Sequence, residues 1–234
     1  MRIHVLARAG LALALATAVA GCLGNSGSGG GGNGQGAGAG SGGSGSGSAM
    51  NFQQNFDRVS AMAPTSNMPT SIQAAYSGKM RADVTDANNV VAQVEGDLDL
   101  NVDWTDGQTT NPFTGTASNF TGTLVTGETG TINGTLTVDN SFGGTINRTV
   151  NPAMVINGIN VPATQIGGLS VTLTGDLTQG GVTADTLITL GGAFFGDKGK
   201  AALGPVVGGY KLPNSANPAI FDGAIAGQYY IEAK

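Results

Sequence analysis

The chain has 234 residues, 41 of them glycine, and carries 10 basic against 15 acidic side chains, a formal net charge of −5. No Lys/Arg cluster offsets that acidity beyond Lys198 and Lys200, so charge argues against nucleic acid and anionic headgroups as partners. The one histidine, His4, and the one cysteine, Cys22, both stand near the amino terminus; the rest of the chain therefore lacks a histidine base, a Ser-His-Asp or Cys-His arrangement, His or Cys metal ligands and any disulfide.

In chain order, the first element is a basic front, Arg2 and Arg8, followed by an apolar run from Leu11 to Val19 and the small residues Ala20 and Gly21 before Cys22. Residues 1–21 read as a targeting segment, too short to span a membrane as a helix. Val19-Ala20-Gly21-Cys22 resembles the lipobox that ends bacterial lipoprotein signal peptides. The resemblance implies that the Cys22 thiol takes a diacylglycerol, that cleavage frees its amine, and that the amine is acylated as well. At about 0.8 kcal/mol per buried CH₂, two or three chains make such an anchor effectively permanent. Leu23, where an inner-membrane lipoprotein would carry Asp, implies by the same resemblance an outer-membrane location, at the cell surface. Loss of Arg2 and Arg8 leaves 10 − 2 = 8 basic residues against 15 acidic ones, a net charge of −7.

Residues 22–48 form the lipidated cysteine and a Gly/Ser-rich linker, expected to be disordered. A flexible chain of this composition reaches about 28 Å on root-mean-square average, enough to lift a domain off a membrane and let it search. The foldable part, residues 49–234, is long enough for one domain with a real core. Within it, 49–72 is expected to be a short helical cap. Phe52, Phe56, Val59 and Met62 recur at helical spacing and Pro64 stops the pattern. Its apolar face is expected to cover a barrel end or lean on a sheet.

From residue 73 to 234 the period becomes two, which predicts a β-barrel domain. Glu95, Asp97, Asp99, Asn101 and Asp103 share one face of a strand, and Val94, Leu98, Leu100, Val102 and Trp104 share the other, interrupted only by Gly96. The same alternation runs through 131–139 and 169–177. Further strands are predicted at 75–83, 113–120, 154–159, 183–190, 206–212 and 219–229, with turn signals at Asp106-Gly107, Asn157-Gly158 and Gly180-Gly181. The fold class is all-β, an eight-stranded antiparallel up-and-down soluble barrel. Closure follows from edge physics, because strands this long with almost no proline or lysine would pair with other chains if left open. A transmembrane barrel is disfavoured: outward positions are Asp, Asn and Thr, aromatics are 6% of residues, and Ile231-Glu232-Ala233-Lys234 carries no terminal aromatic.

The run from Gly192 to Gly209, containing Phe194-Phe195-Gly196 and Gly208-Gly209, is similar to the last hairpin of transferrin-binding protein B-like surface lipoproteins. Phe221 to Gly227 looks like the closing strand of the same barrel, and Met68 to Gly78 resembles its opening strand, so the likeness spans roughly residues 68 to 230. Asp197 departs from the family's usual proline, and Gly204-Pro205 interrupts its Glu-x-Gly-Gly form. The resemblance implies a barrel displayed on a lipid anchor that captures a host protein or nutrient ligand, or partners an outer-membrane transporter. Transferrin-binding protein B has two lobes with handle domains and this chain has one barrel, so transferrin itself is not the expected ligand.

Among candidate site residues, Asp97, Asp99, Asn101 and Asp103 imitate a calcium loop, but Val102 occupies the position that needs glycine and no glutamate follows. They are read as a solvated strand face. Asn119, Asn133 and Asn147 match a glycosylation acceptor pattern that a Thr/Asn-rich chain produces by chance. Phe194 and Phe195 should face opposite sides of a strand. Tyr210, Tyr229 and Tyr230 are the candidate haem ligands a histidine-free barrel could offer, against the reading that they sit at a barrel end. The expectation is a protein that is not an enzyme, with no cofactor, no metal and Cys22 as its lipidation site, binding a ligand through its loops. The rival expectation is an accessory lipoprotein facing the periplasm without a ligand of its own.

Overall fold

The computed structural model describes residues 51–86, 89–217 and 219–234. Cys22, the targeting segment and the Gly/Ser linker lie outside the described residues. Among the described residues one helix, α1 (Phe52–Ser60), precedes twelve strands: β1 (Ser71–Asp86), β2 (Asn89–Thr105), β3 (Phe113–Leu124), β4 (Thr129–Gly134), β5 (Leu136–Val138), β6 (Gly144–Asn151), β7 (Met154–Ile156), β8 (Ile159–Val161), β9 (Thr164–Gln179), β10 (Val182–Phe195), β11 (Ala201–Lys211) and β12 (Gly223–Ala233). A 3₁₀ turn, Asp197–Gly199, links β10 to β11.

The sheet closes on itself as a ring of eight staves. β1, β2 and β3 follow one another antiparallel; β9, β10, β11 and β12 do the same; β12 returns to β1 with Gly78 opposite Ile231. The stave between β3 and β9 is composite. β4, β5 and β6 run successively along one edge of β9, from Asn133 opposite Thr178 to Asn151 opposite Thr164. It breaks at Thr135 and again at 139–143, where the Asp139 carboxylate accepts hydrogen bonds from the Ser141 amide at 2.7 Å and the Thr174 hydroxyl at 2.9 Å. β1, β2, β9, β10, β11 and β12 are each paired on both sides, which is what strands of 16 and 17 residues need in water, while β6 pairs on its β9 side.

β2 follows its sequence pattern closely. Val94, Leu98, Leu100, Val102 and Trp104 are buried, while Asp99, Asn101 and Asp103 are exposed. Gly96 falls on the buried face, and a Cβ there would stand 2.4 Å from the Phe120 ring, so the missing side chain is what lets Phe120 lie across β2. The outer face carries cross-strand ion pairs: Lys79 lies opposite Asp97 and Arg81 opposite Glu95, each pair in contact.

α1 is fixed at its start by a reciprocal cap, with Asn51 accepting from the Gln54 amide and Gln54 accepting from the Asn51 amide. It leans on the outer face of β11 and β12, where Phe52 and Val59 cover Ala201 and Tyr230. Full burial of two such side chains contributes about 1.5–3 kcal/mol each. Arg58 pairs with Glu232, and the Arg81 guanidinium sits 4.6 Å from the Phe52 ring centroid. Of the two placements expected for this helix, the sheet wins. The barrel end is covered by the segment that follows it.

The predicted strand at 154–159 does not exist as one element. Asn157 and Gly158 adopt positive φ angles of 52° and 82°, the two-residue turn their sequence favours, and the stretch folds into the β7–β8 hairpin. This hairpin pairs only with itself and stands at the tip of an arm built by the outer ends of β6 and β9. β6 had no predicted counterpart.

Candidate functional site: the open end of the barrel

The two ends of the barrel differ because the inward-facing side chains differ. At the end where β1 begins and β2 finishes, Ile72, Tyr76, Trp104, Phe113 and Phe194 point inward and are buried. Residues 62–70 lie against this end. The Thr65 amide donates to the Phe194 carbonyl at 3.0 Å, the Met68 amide to Gln165 at 2.8 Å, and the Gly196 amide to Ala63 at 2.8 Å. The Met68 side chain plugs the gap between β9 and the 3₁₀ turn, against Gly167 and Gly199. Tyr76 donates to the Gly199 carbonyl at 2.8 Å, and burial pushes its hydroxyl up to about 12. This end is closed.

At the opposite end the inward residues are smaller: Val84, Ala92, Val94, Ala184 and Thr186, with Ile132, Leu177 and Ile225. They leave a cavity of about 270 Å³ that opens between the β3–β4 turn, the β9–β10 turn and the β11–β12 loop. Its floor is Met80, Phe120, Leu136 and Ile188, all buried. Of the lining side chains only Gln179, Thr186 and Tyr210 are polar and none is charged. Thr186 donates back to the carbonyl of Ala184 in its own strand at 3.3 Å. Gln179 and Tyr210 thus sit toward the mouth, Thr186 is buried with its hydroxyl spent on its own strand, and the remaining depth of the cavity is hydrocarbon. Exposed apolar side chains continue around the rim: Val90, Leu124, Val125, Val182, Leu212 and Phe221.

The rim is acidic. Asp86, Glu128 and Asp222 lie in the strand ends and loops of the mouth, while Asp83, Asp176 and Asp185 stand on the outer face of the same strand ends, where Lys211 lies opposite Asp185. Asp222 accepts from the Leu212 amide at 2.7 Å and the Ser215 hydroxyl at 2.9 Å, which fixes the root of the β11–β12 loop. The Tyr210 hydroxyl is raised above its ordinary value by burial first, then by the negative charges of Asp86 and Asp222. It is therefore a neutral donor at the edge of an apolar cavity.

The residues singled out in the sequence do not form a single site. Asp97 is held by Lys79 and Asn119, Asp99 by Lys234, and Glu95 by Arg81, so this face of β2 is a ladder of ion pairs. Among the described residues no three acidic, His or Cys side chains come together. Tyr210 stands at the mouth, Tyr229 points into the core, and Tyr230 faces outward beneath α1, so the three tyrosines share no ligand. Phe194 packs in the core against Tyr76, with ring centroids 6.4 Å apart, while Phe195 lies half-buried on the outer cluster under the helix. Asn119 takes a positive φ of 55° and hydrogen-bonds Asp97. Sequence reasoning missed the cavity. Its signal lay in the sizes of the inward residues, with Tyr76, Trp104 and Phe194 at one end of β1, β2 and β10 and Val84, Ala92 and Ala184 at the other, which becomes visible only once the register aligns them.

A second surface stands out. From Thr149 to Gly175 the chain has no charged residue, and the arm built on this stretch exposes Val150, Met154, Val155, Ile156, Ile159 and Ile166. No protein-family model, curated protein or solved structure matches this chain. Among the described residues no helix is long and apolar enough to cross a membrane.

Proposed function

We propose that this chain is a non-catalytic bacterial surface lipoprotein of the transferrin-binding protein B-like kind, anchored in the outer membrane through acylated Cys22, and that it takes up a ligand at the open end of its barrel. The observation that carries the reading is the apolar cavity, closed below by a packed aromatic layer and open above between loops. Apolar concavities with a few convergent polar groups are the usual form of a small-molecule site, and loops on a rigid scaffold supply its selectivity. Titration with N-phenyl-1-naphthylamine, which fluoresces on leaving water, tests it: saturable one-to-one binding is the expected result, and a signal that never saturates contradicts it.

A second reading is favoured by the β7–β8 arm. An accessory lipoprotein that assists another envelope assembly, without a ligand of its own, would use an uncharged protruding hairpin as its contact. Protease digestion of intact cells separates the location each reading needs. Loss of the barrel without lysis supports surface display, and complete protection supports a periplasmic accessory role.

A further inference from the structure

The depth and the rim of the cavity impose opposite demands on whatever enters. The floor side chains Met80, Phe120, Leu136 and Ile188 bring no donor or acceptor, so a ligand group carrying hydroxyls, amides or charges would lose its water there without compensation. The Phe120 ring lies in the floor beside Gly96, and the Tyr210 ring lines the wall nearer the mouth. The inner part of the ligand is therefore hydrocarbon. An apolar cavity of about 150 Å³ holds one benzene-sized molecule, so 270 Å³ accommodates a chain of roughly ten carbons.

At the mouth the chemistry changes. Gln179 offers an amide beside Gly122 and Gly130, and Tyr210 offers a hydroxyl donor near Asp86 and Asp222. Asp86, Glu128 and Asp222 lie in the strand ends and loops of the entrance, with Asp83, Asp176 and Asp185 on the outer wall below it. A head group that stops at this level meets hydrogen-bonding groups within a negative field, which repels a carboxylate or phosphate and attracts an ammonium.

Resting on the reading that the open end binds a ligand, we propose that the ligand is a single-chain amphiphile whose hydrocarbon fills the barrel and whose cationic or uncharged head remains at Gln179 and Tyr210. Anionic chains such as free fatty acids are discriminated against by the rim.

Calorimetric titration of the full chain carrying Cys22→Ala, so that no acyl group of its own competes, tests this with three probes of equal length: decyltrimethylammonium, decanol and decanoate. The expected result is one-to-one binding of the first two, with the cation roughly tenfold or more tighter than decanoate at low salt. Added salt and the Asp86→Asn/Asp222→Asn pair should shrink that ratio, and Ala184→Trp, which fills the cavity from its wall, should remove binding of all three. Equal affinities, or tighter decanoate, would overturn the head-group assignment while leaving the cavity as the binding site. Absence of binding by any probe would overturn the site itself. A far-ultraviolet circular dichroism spectrum establishes that each variant is folded, and Val182→Trp at the rim repeats the blocking arm independently of Ala184.

Discussion

Two buried tyrosines separate hydroxyls that stabilise this protein from one that does not. The Tyr76 hydroxyl reaches the Gly199 carbonyl and ties β1 to the 3₁₀ turn that seals the closed end, whereas the Tyr229 hydroxyl is buried without a hydrogen-bond partner. Tyr76→Phe should lower unfolding stability by about 1–2 kcal/mol, and Tyr229→Phe should leave it unchanged or raise it. Urea denaturation of the two variants in parallel checks the contrast; equal losses would contradict it. Gly96 makes a third case at this scale. Gly96→Val forces Phe120 out of its place and is expected to cost about 1–3 kcal/mol as an overpacked core. Acid sensitivity belongs here too. Glu232 is held below its ordinary value of 4.5, chiefly by its hydrogen bond from Arg58. A depressed carboxylate contributes its stability above the unfolded value and loses it as pH falls through the folded one, so the contribution fades as pH drops below about 4.5. The pair is partly exposed, which keeps the effect under about 1 kcal/mol. Glu232→Gln should accordingly flatten the fall in urea midpoint between neutral and acidic pH, and an unchanged slope would contradict the assignment.

Elements divide into those that the alternation of residues specifies and those that turn chemistry or packing decides. The run from Val94 to Trp104 announces a half-buried strand because each apolar residue has a charged neighbour, and β2 has that orientation throughout. The helix start at Asn51 and its stop before Pro64 are equally local, being set by a cap and a ring that cannot continue the helix. What covers the helix is not local. Tyr230 looks like any outward tyrosine until Phe52 and Val59 arrive from a segment far away in sequence. The stretch 154–159 reads as a strand by composition, yet Asn157-Gly158 reverses it, and the competing turn propensity prevails because no other strand is there to hold the extended form. The composite stave of β4, β5 and β6 was partly hidden for a similar reason, since its alternation is broken by the Asp139 turn. The β7–β8 hairpin pairs with no other strand, so replacing 152–163 by a two-residue turn should leave the thermal midpoint within a few degrees of the parent. A large fall, read by differential scanning calorimetry, would show that the hairpin contributes to the barrel's stability.

At the scale of the molecule, one sequence builds a cylinder with unlike ends, aromatic and sealed at one, aliphatic and open at the other, and the difference is carried by inward residues that only the ring register brings to the same height. The proposed acylation of Cys22 is independent of that architecture, and labelling with radioactive palmitate, retained in the parent and lost in Cys22→Ala, is the expected outcome for the anchor. The central claim is that the open end, rather than the protruding arm, is the binding surface. Fluorescence titration with N-phenyl-1-naphthylamine on the parent, on Ala184→Trp and on the arm-shortened variant tests it most directly. The account predicts saturable binding in the parent, unchanged affinity when the arm is shortened, and loss when Ala184→Trp fills the cavity. Binding that survives Ala184→Trp and disappears with the arm would contradict it.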